Sequence, residues 1–318
     1  MRATISYGKA QISVYRTYAT PLAGIAPIPE SAFTGRENTL FGVEVDVEVF
    51  GDNFLAAYTQ GDNSNVVATD TMKNFVLKQM VDYGGATLEG ALYFLGSRFL
   101  ETYPQMQSLR MTGKESPFRG AQVPGPRVPG GDAGGDAGGF EASNVLFSRS
   151  HDDYAFASLD LDRGKGGVLV SAHRCGQREL QLIKVTGSSF ASFVRDEHTT
   201  LPERKDRPLF IYLDVYWKYS DPNDATGSDY GRYIPAEQVR DLVQSVFHRF
   251  VSMSIQHLVY EMGERLLERF PQMAEVTFEA QNRLWDTAFV SEADERVKVY
   301  TDPRPPYGSI KLTLGRGE

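Results

Sequence analysis

Residues 41–50 read FGVEVDVEVF, and this stretch decides the fold class. Its four valines alternate with three carboxylates, which is the pattern of a β-strand with one buried and one solvated face. Such a strand suits an antiparallel sheet that is covered on one side only. The sequence therefore predicts an α+β protein in which helices cover one face of a sheet.

Two amphipathic helices follow this strand. Apolar residues recur at helical spacing over 70–83 and again over 87–103. Thr69 and Asp70 are candidate caps for the first helix, and Pro104 ends the second. With a strand near the N-terminus and further strands at 106–112 and 140–161, the first half has the order ββααββ.

The second half repeats this order. Strands are predicted at 168–185, 209–219, 273–284, 296–300 and 309–314, and helices at 235–250 and 254–270. Corresponding helices are roughly 165 residues apart, which indicates an internal repeat. We therefore predict two domains, 1–163 and 164–318, each an antiparallel four-stranded sheet with two helices on one face. The Gly- and Pro-rich segment 113–139 is interpreted as a flexible hairpin loop in the first domain.

Composition excludes several classes of protein. The 318 residues carry 41 acidic and 33 basic side chains, for a net charge of −8, which argues against a nucleic-acid partner. No apolar run reaches the roughly 18 residues of a membrane span, and the N-terminus does not resemble a signal peptide. The single cysteine, Cys175, forms no intrachain disulfide and is interpreted as a small buried hydrophobe.

Exposed sheet edges in this layout would promote aggregation, so we expect the sheets to close into a ring with other subunits.

Several polar and aromatic residues together suit a flat, anionic heterocycle. The ring of Phe190 can stack on such a ligand, and the guanidinium of Arg207 offers paired donors in one plane. Gln256 supplies a donor and an acceptor in the first turn of a helix. The backbone amides there, including that of Ile255, have no intrahelical partner and favour an anion. Each residue taken alone has an ordinary structural reading, as a core plug, a surface ion pair or a solvated helix residue.

The segment that contains Phe190 and Arg207 resembles the urate oxidase (uricase) family. Residues 190–207 read FASFVRDEHTTLPERKDR, and further segments agree with the family at 7–9 (YGK), 68–74 (ATDTMKN), 254–256 (SIQ) and 281–282 (QN). The resemblance implies two tandem tunnelling-fold (T-fold) domains. It also implies oxidation of urate by O2 and water to 5-hydroxyisourate and hydrogen peroxide, in a homotetramer whose active sites lie at subunit interfaces.

The resemblance also assigns roles to individual residues. Substrate binding is implied for Thr69, Asp70, Phe190, Arg207, Ile255, Gln256 and Asn282, and catalysis for Lys9, Thr69 and Asn282. Spacing alone would make Lys9 a solvated strand lysine, Thr69 a helix N-cap and Asn282 a strand-end residue. Many uricases have a histidine two places after the asparagine, but this chain has Leu284 there. We hypothesise that Lys9 and Thr69 suffice as a proton relay, with a water or His257 as a possible third member.

No metal or cofactor is expected. The five histidines form no His-x-His or His-Glu-x-x-His arrangement, and the glycine-rich stretch does not lie between a strand and a helix as a dinucleotide-binding loop does. Two alternatives stay open: a catalytically silent purine-binding or regulatory protein of the same fold, and a zinc-dependent T-fold enzyme acting on pterins or guanine nucleotides. Residues 315–318 (GRGE) differ from a peroxisomal address, so we expect a cytoplasmic location.

Overall fold

The computed structural model describes residues 3–125, 139–149 and 151–317 and divides the chain into two compact units. Met1–Ala23 and Gly35–Ala172 form the first unit, and Gly24–Thr34 and His173–Glu318 form the second. The predicted boundary after residue 163 lies at the end of the strand Tyr154–Gly164. The assignment of one domain to each side of that boundary stays a prediction.

The first unit is an antiparallel sheet with its main helices between the second and third strands. Its elements are β1 (Ser6–Thr17), β2 (Leu40–Phe50), the short α1 (Leu55–Thr59), α2 (Thr69–Gln79), α3 (Leu88–Thr102), β3 (Ser108–Glu115), β4 (Phe118–Pro124), β5 (Phe140–Arg149), β6 (Tyr154–Gly164) and the start of β7 (Gly167–Lys184). In the sheet, β1, β2, β3, β6 and β7 are neighbours in that order, and β4 pairs with β5 as a separate hairpin.

The valine face of β2 is the centre of this unit's core. The four valines within residues 43–49 expose at most 2% of their surface. Helix α3 covers this face at Gly96, where an added Cβ would lie 2.2 Å from Leu161 Cδ1. Met111, which pairs with Val47, also borders Gly96. The helix can approach the sheet this closely only because residue 96 has no side chain.

The second unit repeats this plan. Its elements are the rest of β7, β8 (Leu209–Tyr219), the short α4 (Asn223–Thr226), α5 (Ala236–Arg249), α6 (Ile255–Arg269), β9 (Met273–Asn282), β10 (Thr287–Val290), β11 (Lys298–Tyr300) and β12 (Gly308–Gly315). In the sheet, β7, β8, β9 and β12 are neighbours in that order, all antiparallel, and β10 pairs with β11. Within the described residues, no helix combines the length and apolar character of a membrane span.

The predicted ββααββ order is confirmed in both units. Each unit also carries a hairpin that was predicted only in part, because strands were expected at 140–161 and 296–300, where β5 and β11 lie, but not where β4 and β10 lie. β4–β5 and β10–β11 both lie between the third and fourth strands of their sheets. The loop prediction for 113–139 is therefore wrong over 113–115 and 118–124, which form the end of β3 and all of β4. The glycine- and proline-rich composition begins only at Pro124, so the hairpin ladder runs up to that point. Residues 126–138 lie outside the described part of the chain.

At each of the four long helices, carbonyl groups in the last turn or just after it accept hydrogen bonds from a cation that lies in a strand or directly after one. The last carbonyls of a helix have no intrahelical partner and carry its negative dipole end, so a cation there is favourable. The pairs are Arg16 with Met80 and Tyr83 after α2, Arg163 with Leu100, Tyr103 and Met106 after α3, Lys184 with Phe250 after α5, and Arg316 with Leu267, Phe270 and Met273 after α6. The strands thereby fix where each helix ends.

Replacing Arg163 by Met should lower the free energy of unfolding by about 1–2 kcal/mol, because three carbonyl groups lose a charged donor at a partly exposed site. The control is Arg98→Met on the surface of α3, which breaks a 3.4 Å ion pair with Glu101 and should cost about 0.5 kcal/mol or less. Urea unfolding followed by circular dichroism measures both. Equal losses in the two variants would contradict the capping role.

Candidate active site

The residues predicted to act on the substrate fall into two groups, one in each unit. The first unit holds Lys9, Thr69 and Asp70, and the second holds Phe190, Arg207, Ile255, Gln256 and Asn282. Each group is described within its own unit below.

A β-bulge decides which way Lys9 faces. Lys9 pairs with Val47 of β2 whereas Ile12 pairs with Val45, so two residues of β1 stand opposite one residue of β2. Paired residues project from the same face of a sheet, and both valines face the core. Lys9 and Ile12 therefore both project from the helix-covered face, although uninterrupted alternation would place them on opposite faces.

The carboxylate of Asp46 holds this bulge. Asp46 Oδ1 accepts a hydrogen bond of 2.6 Å from the backbone N–H of Gln11, whose φ of +57° lies in the left-handed region. The second unit has the same device, because Asp214 Oδ1 accepts a bond of 2.7 Å from the N–H of Glu179, whose φ is +62°. There the residue in the position of the lysine is Gln177, which is buried.

Thr69 is the first residue of α2 and not its cap. The N-cap residue is Ala68, and among the described residues no side chain caps this helix start. The predicted capping role of Thr69 is wrong because the helix begins one residue earlier than the sequence indicated. The chain just before it is tied to β1, since the hydroxyl of Tyr7 accepts a hydrogen bond of 3.2 Å from Val67 N–H.

Asp70 lies within electrostatic range of Lys9. Its Oδ1 accepts a hydrogen bond of 2.6 Å from Lys73 Nζ, and its Oδ2 accepts one of 3.1 Å from Asn74 Nδ2. The Lys73 hydrogen bond and charge lower the pKa of Asp70, and Lys9 adds a weaker contribution in the same direction. The structure thus brings together Lys9 and the start of α2.

The guanidinium of Arg207 lies beside the ring of Phe190, with Cζ 5.4 Å from the ring centroid. The backbone fixes both residues: Phe190 pairs with Arg204, and Arg207 N–H donates to Ser188 O at 2.9 Å. Burial lowers the pKa of Arg207, and the charge of Arg204 adds to the effect. Among the described residues, the buried Arg207 Nε has no hydrogen-bond partner. An arginine stays charged even so, and an anionic ligand would satisfy it.

Hydrogen bonds join this loop to the chain before α6. Asp206 accepts bonds from Thr186 Oγ1 (2.6 Å) and Gly187 N–H (2.7 Å), and the first of these bonds lowers the pKa of Asp206. Ser189 N–H then donates to Ser252 O at 2.8 Å. Arg207 and the start of α6 are therefore held in one framework.

The start of α6 presents Gln256. Ser254 is the N-cap, and its Oγ accepts a hydrogen bond of 3.1 Å from His257 N–H. Ile255 is buried whereas Gln256 is exposed, so the amide side chain is accessible beside the free N–H groups of the first turn. The ring of His257 packs edge-on against Phe250, with centroids 4.7 Å apart.

Asn282 ends β9 in the same unit. It pairs with Ile211 of β8 and with Gly308 of β12, so both neighbouring strands hold it. Its Oδ1 is buried and has no hydrogen-bond partner among the described residues. Leu284, two residues later, is exposed.

The second unit thus offers an aromatic ring, one face of which stacks on Phe193 with ring centroids 4.9 Å apart, together with a charged planar donor and an amide. Among the described residues, two buried polar atoms of this group, Arg207 Nε and Asn282 Oδ1, have no hydrogen-bond partner. These groups suit a flat anion with carbonyl and ring-nitrogen edges. Among the described residues, no group of three or more His, Cys, Asp or Glu side chains could hold a metal ion.

Sequence reasoning missed Asp46, Asp206 and Ser252. A signal for the first existed, because Lys9 is out of phase with the alternating apolar residues that begin at Ile12. No local pattern marks Asp206 or Ser252, since both act through hydrogen bonds to residues distant in sequence.

The chain is similar to known proteins in sequence and in fold. A sequence model of the uricase family matches residues 5–137 and 173–311. The uricase of Halalkalicoccus jeotgali is 47% identical over 314 residues, covering 99% of both chains, and that of Haloferax volcanii is 46% identical with the same coverage. A crystal structure of urate oxidase from Bacillus sp. TB-90 has a TM-score of 0.91 at 44% identity, covering 98% of this chain and 100% of that chain. With the family matched over both units and relatives this similar over their full length, the chain belongs to the uricase family.

Proposed function

We propose that this chain oxidises urate with O2 and water to 5-hydroxyisourate and hydrogen peroxide, as an enzyme of purine degradation. Its two units are tandem T-fold domains, and both the family and its solved members are urate oxidases. A relative from Bacillus subtilis, 43% identical over 316 residues, is described as a bifunctional protein of uric acid degradation. The observation that carries the proposal is the buried Arg207 Nε, which lacks a hydrogen-bond partner among the described residues and belongs to a guanidinium beside the Phe190 ring.

The second unit binds the urate anion in this proposal. Phe190 stacks on the purine ring, while Arg207 donates two hydrogen bonds to one edge and Gln256 exchanges hydrogen bonds with the opposite edge. The backbone N–H of Ile255, at the positive end of α6, favours the negative charge. Planar ligands with this donor and acceptor pattern are held in one orientation.

Lys9 and Thr69 of the first unit contribute the proton chemistry. Lys9 and the Thr69 hydroxyl relay a proton between substrate and water, and Asp70 contributes to substrate binding beside them. Asn282 holds O2 or the attacking water through its amide group, whose oxygen has no hydrogen-bond partner among the described residues. Leu284 cannot supply the third member of the relay, so Lys9 and Thr69 act alone or with a water or His257.

The electrons come from the substrate. The urate dianion is electron-rich enough to reduce O2 after deprotonation, so the chain's own residues need only bind, orient and move protons. No metal or organic cofactor takes part in this proposal.

A homotetramer with active sites at subunit interfaces completes the proposal, in the cytoplasm. Lys9, Thr69 and Asp70 come from one chain, and the binding residues of the second unit come from another. The unpaired outer edges of β1 and β12 support association, because exposed edges pair readily. The alternative, a silent purine-binding protein, would bind urate without consuming it.

The purified protein should consume urate and O2 in equal amounts in buffer that contains a metal chelator. The loss of urate absorbance measures urate consumption, and an oxygen electrode measures O2 consumption in the same reaction. Urate binding without oxygen uptake would support the silent alternative, and loss of activity in chelator would overturn cofactor independence.

Arg207→Lys should reduce kcat/KM for urate on the order of 10–100-fold, mainly through KM, because an ammonium group cannot make two parallel bonds in one plane. The matched control is Arg98→Lys. In the wild-type chain, the guanidinium of Arg98 lies 5.5 Å from the centroid of the Phe94 ring on the surface of α3. Steady-state kinetics should show wild-type values for that variant. A wild-type KM in Arg207→Lys would exclude the proposed clamp.

Asp46→Ala should lower kcat on the order of tenfold with little change in KM, because the bulge that turns Lys9 towards α2 loses its hydrogen bond. The pH profile of kcat should shift as well, since Lys9 takes part in proton transfer. Asp214→Ala removes the equivalent bond beside Gln177. Asp214→Ala should lower the free energy of unfolding without changing the pH profile of kcat. Equal losses of kcat in the two variants would refute the role of Asp46 in positioning Lys9.

A further inference from the structure

Among the described residues, every methionine but one is buried. Of the eight methionines, six are at most 1% exposed, and Met1 lies outside the described residues. Met253 is 56% exposed. Exposure decides which thioether an oxidant in solution reaches first.

Met253 lies where the binding residues are joined. It stands between Ser252, which accepts the backbone bond from Ser189, and Ser254, the N-cap of α6. Its Sδ accepts a hydrogen bond of 3.3 Å from the hydroxyl of Ser189, the residue before Phe190. The sulfur therefore touches the connection between the Phe190–Arg207 loop and the helix that presents Gln256.

We propose that Met253 is a modification site, oxidised to methionine sulfoxide by the hydrogen peroxide that the enzyme releases. This inference rests on the proposed function, which supplies the oxidant. A lone pair of Sδ attacks one oxygen of hydrogen peroxide, the O–O bond breaks, a sulfur–oxygen bond forms and water leaves. Sulfur is oxidised by two electrons and the peroxide is reduced by two, so no other reactant is required.

The modification alters the binding half of the site. A sulfoxide oxygen is polar and is a stronger acceptor than a thioether, so it draws the Ser189 hydroxyl and adds volume beside Ser252. The spacing between the Arg207 loop and Gln256 then changes. We expect KM for urate to rise several-fold while kcat changes little, and methionine sulfoxide reductase to restore the original KM because this oxidation is reversible.

The test uses the full chain turning over urate with and without catalase. Peptide mass spectrometry should show a gain of one oxygen, about 16 Da, at Met253 without catalase, while Met262 and Met273 remain unmodified and serve as internal controls. KM for urate should rise as the oxidised fraction of Met253 increases. Met253→Leu, which keeps the side-chain volume but has no sulfur to oxidise, should keep its initial KM unchanged through the same turnover.

The amount of hydrogen peroxide released distinguishes a failure of the Met253 modification site from a failure of the proposed urate oxidation. If peroxide accumulates and Met253 stays reduced, or is oxidised without a change in KM, the modification site is refuted while urate oxidation stands. If no peroxide forms, the proposed function fails, and a further arm with added hydrogen peroxide tests Met253 directly. Selective oxidation of Met253 with a raised urate dissociation constant in that arm supports the site, and equal oxidation of buried methionines overturns it.

Discussion

The half-buried guanidinium of Arg207 is the constraint on which the binding half of the structure depends. Burial and the neighbouring Arg204 both disfavour its charge, and its buried Nε has no hydrogen-bond partner among the described residues. Removing a charge from water without a partner is unfavourable. Hydrogen bonds of Asp206 and Ser252 hold the loop that carries Arg207. In the proposed function, the urate anion supplies the missing partner of this guanidinium.

Local periodicity predicted most of the fold because the elements bury one face each. The alternating valines of β2 and the apolar stripes of α3 and α6 lie where the sequence placed them. Only one strand of each inserted hairpin was predicted. β10 was missed because it is exposed throughout, and β4 was missed because its half-buried and exposed residues do not alternate cleanly. The family resemblance supplied the site residues, but their orientation depends on bonds between distant residues that no local pattern encodes.

The two units repeat physical devices more faithfully than they repeat sequence. Cations cap both helices in each unit, and Arg16 and Lys184 occupy corresponding positions on the first strand of each sheet. Such contacts are favourable in both copies, because every helix end leaves carbonyl groups without intrahelical partners.

The paired bulges place different side chains at the same position of the two units. Both copies place an aspartate against a left-handed residue, so the bulge itself belongs to the fold. Its effect is to turn the preceding side chain towards the helices. In the second unit that side chain is Gln177, an uncharged amide that can be buried there. In the first unit it is Lys9, which remains partly exposed beside the start of α2 and can exchange a proton. A single backbone feature therefore serves packing in one copy and, in the mechanism proposed here, proton transfer in the other.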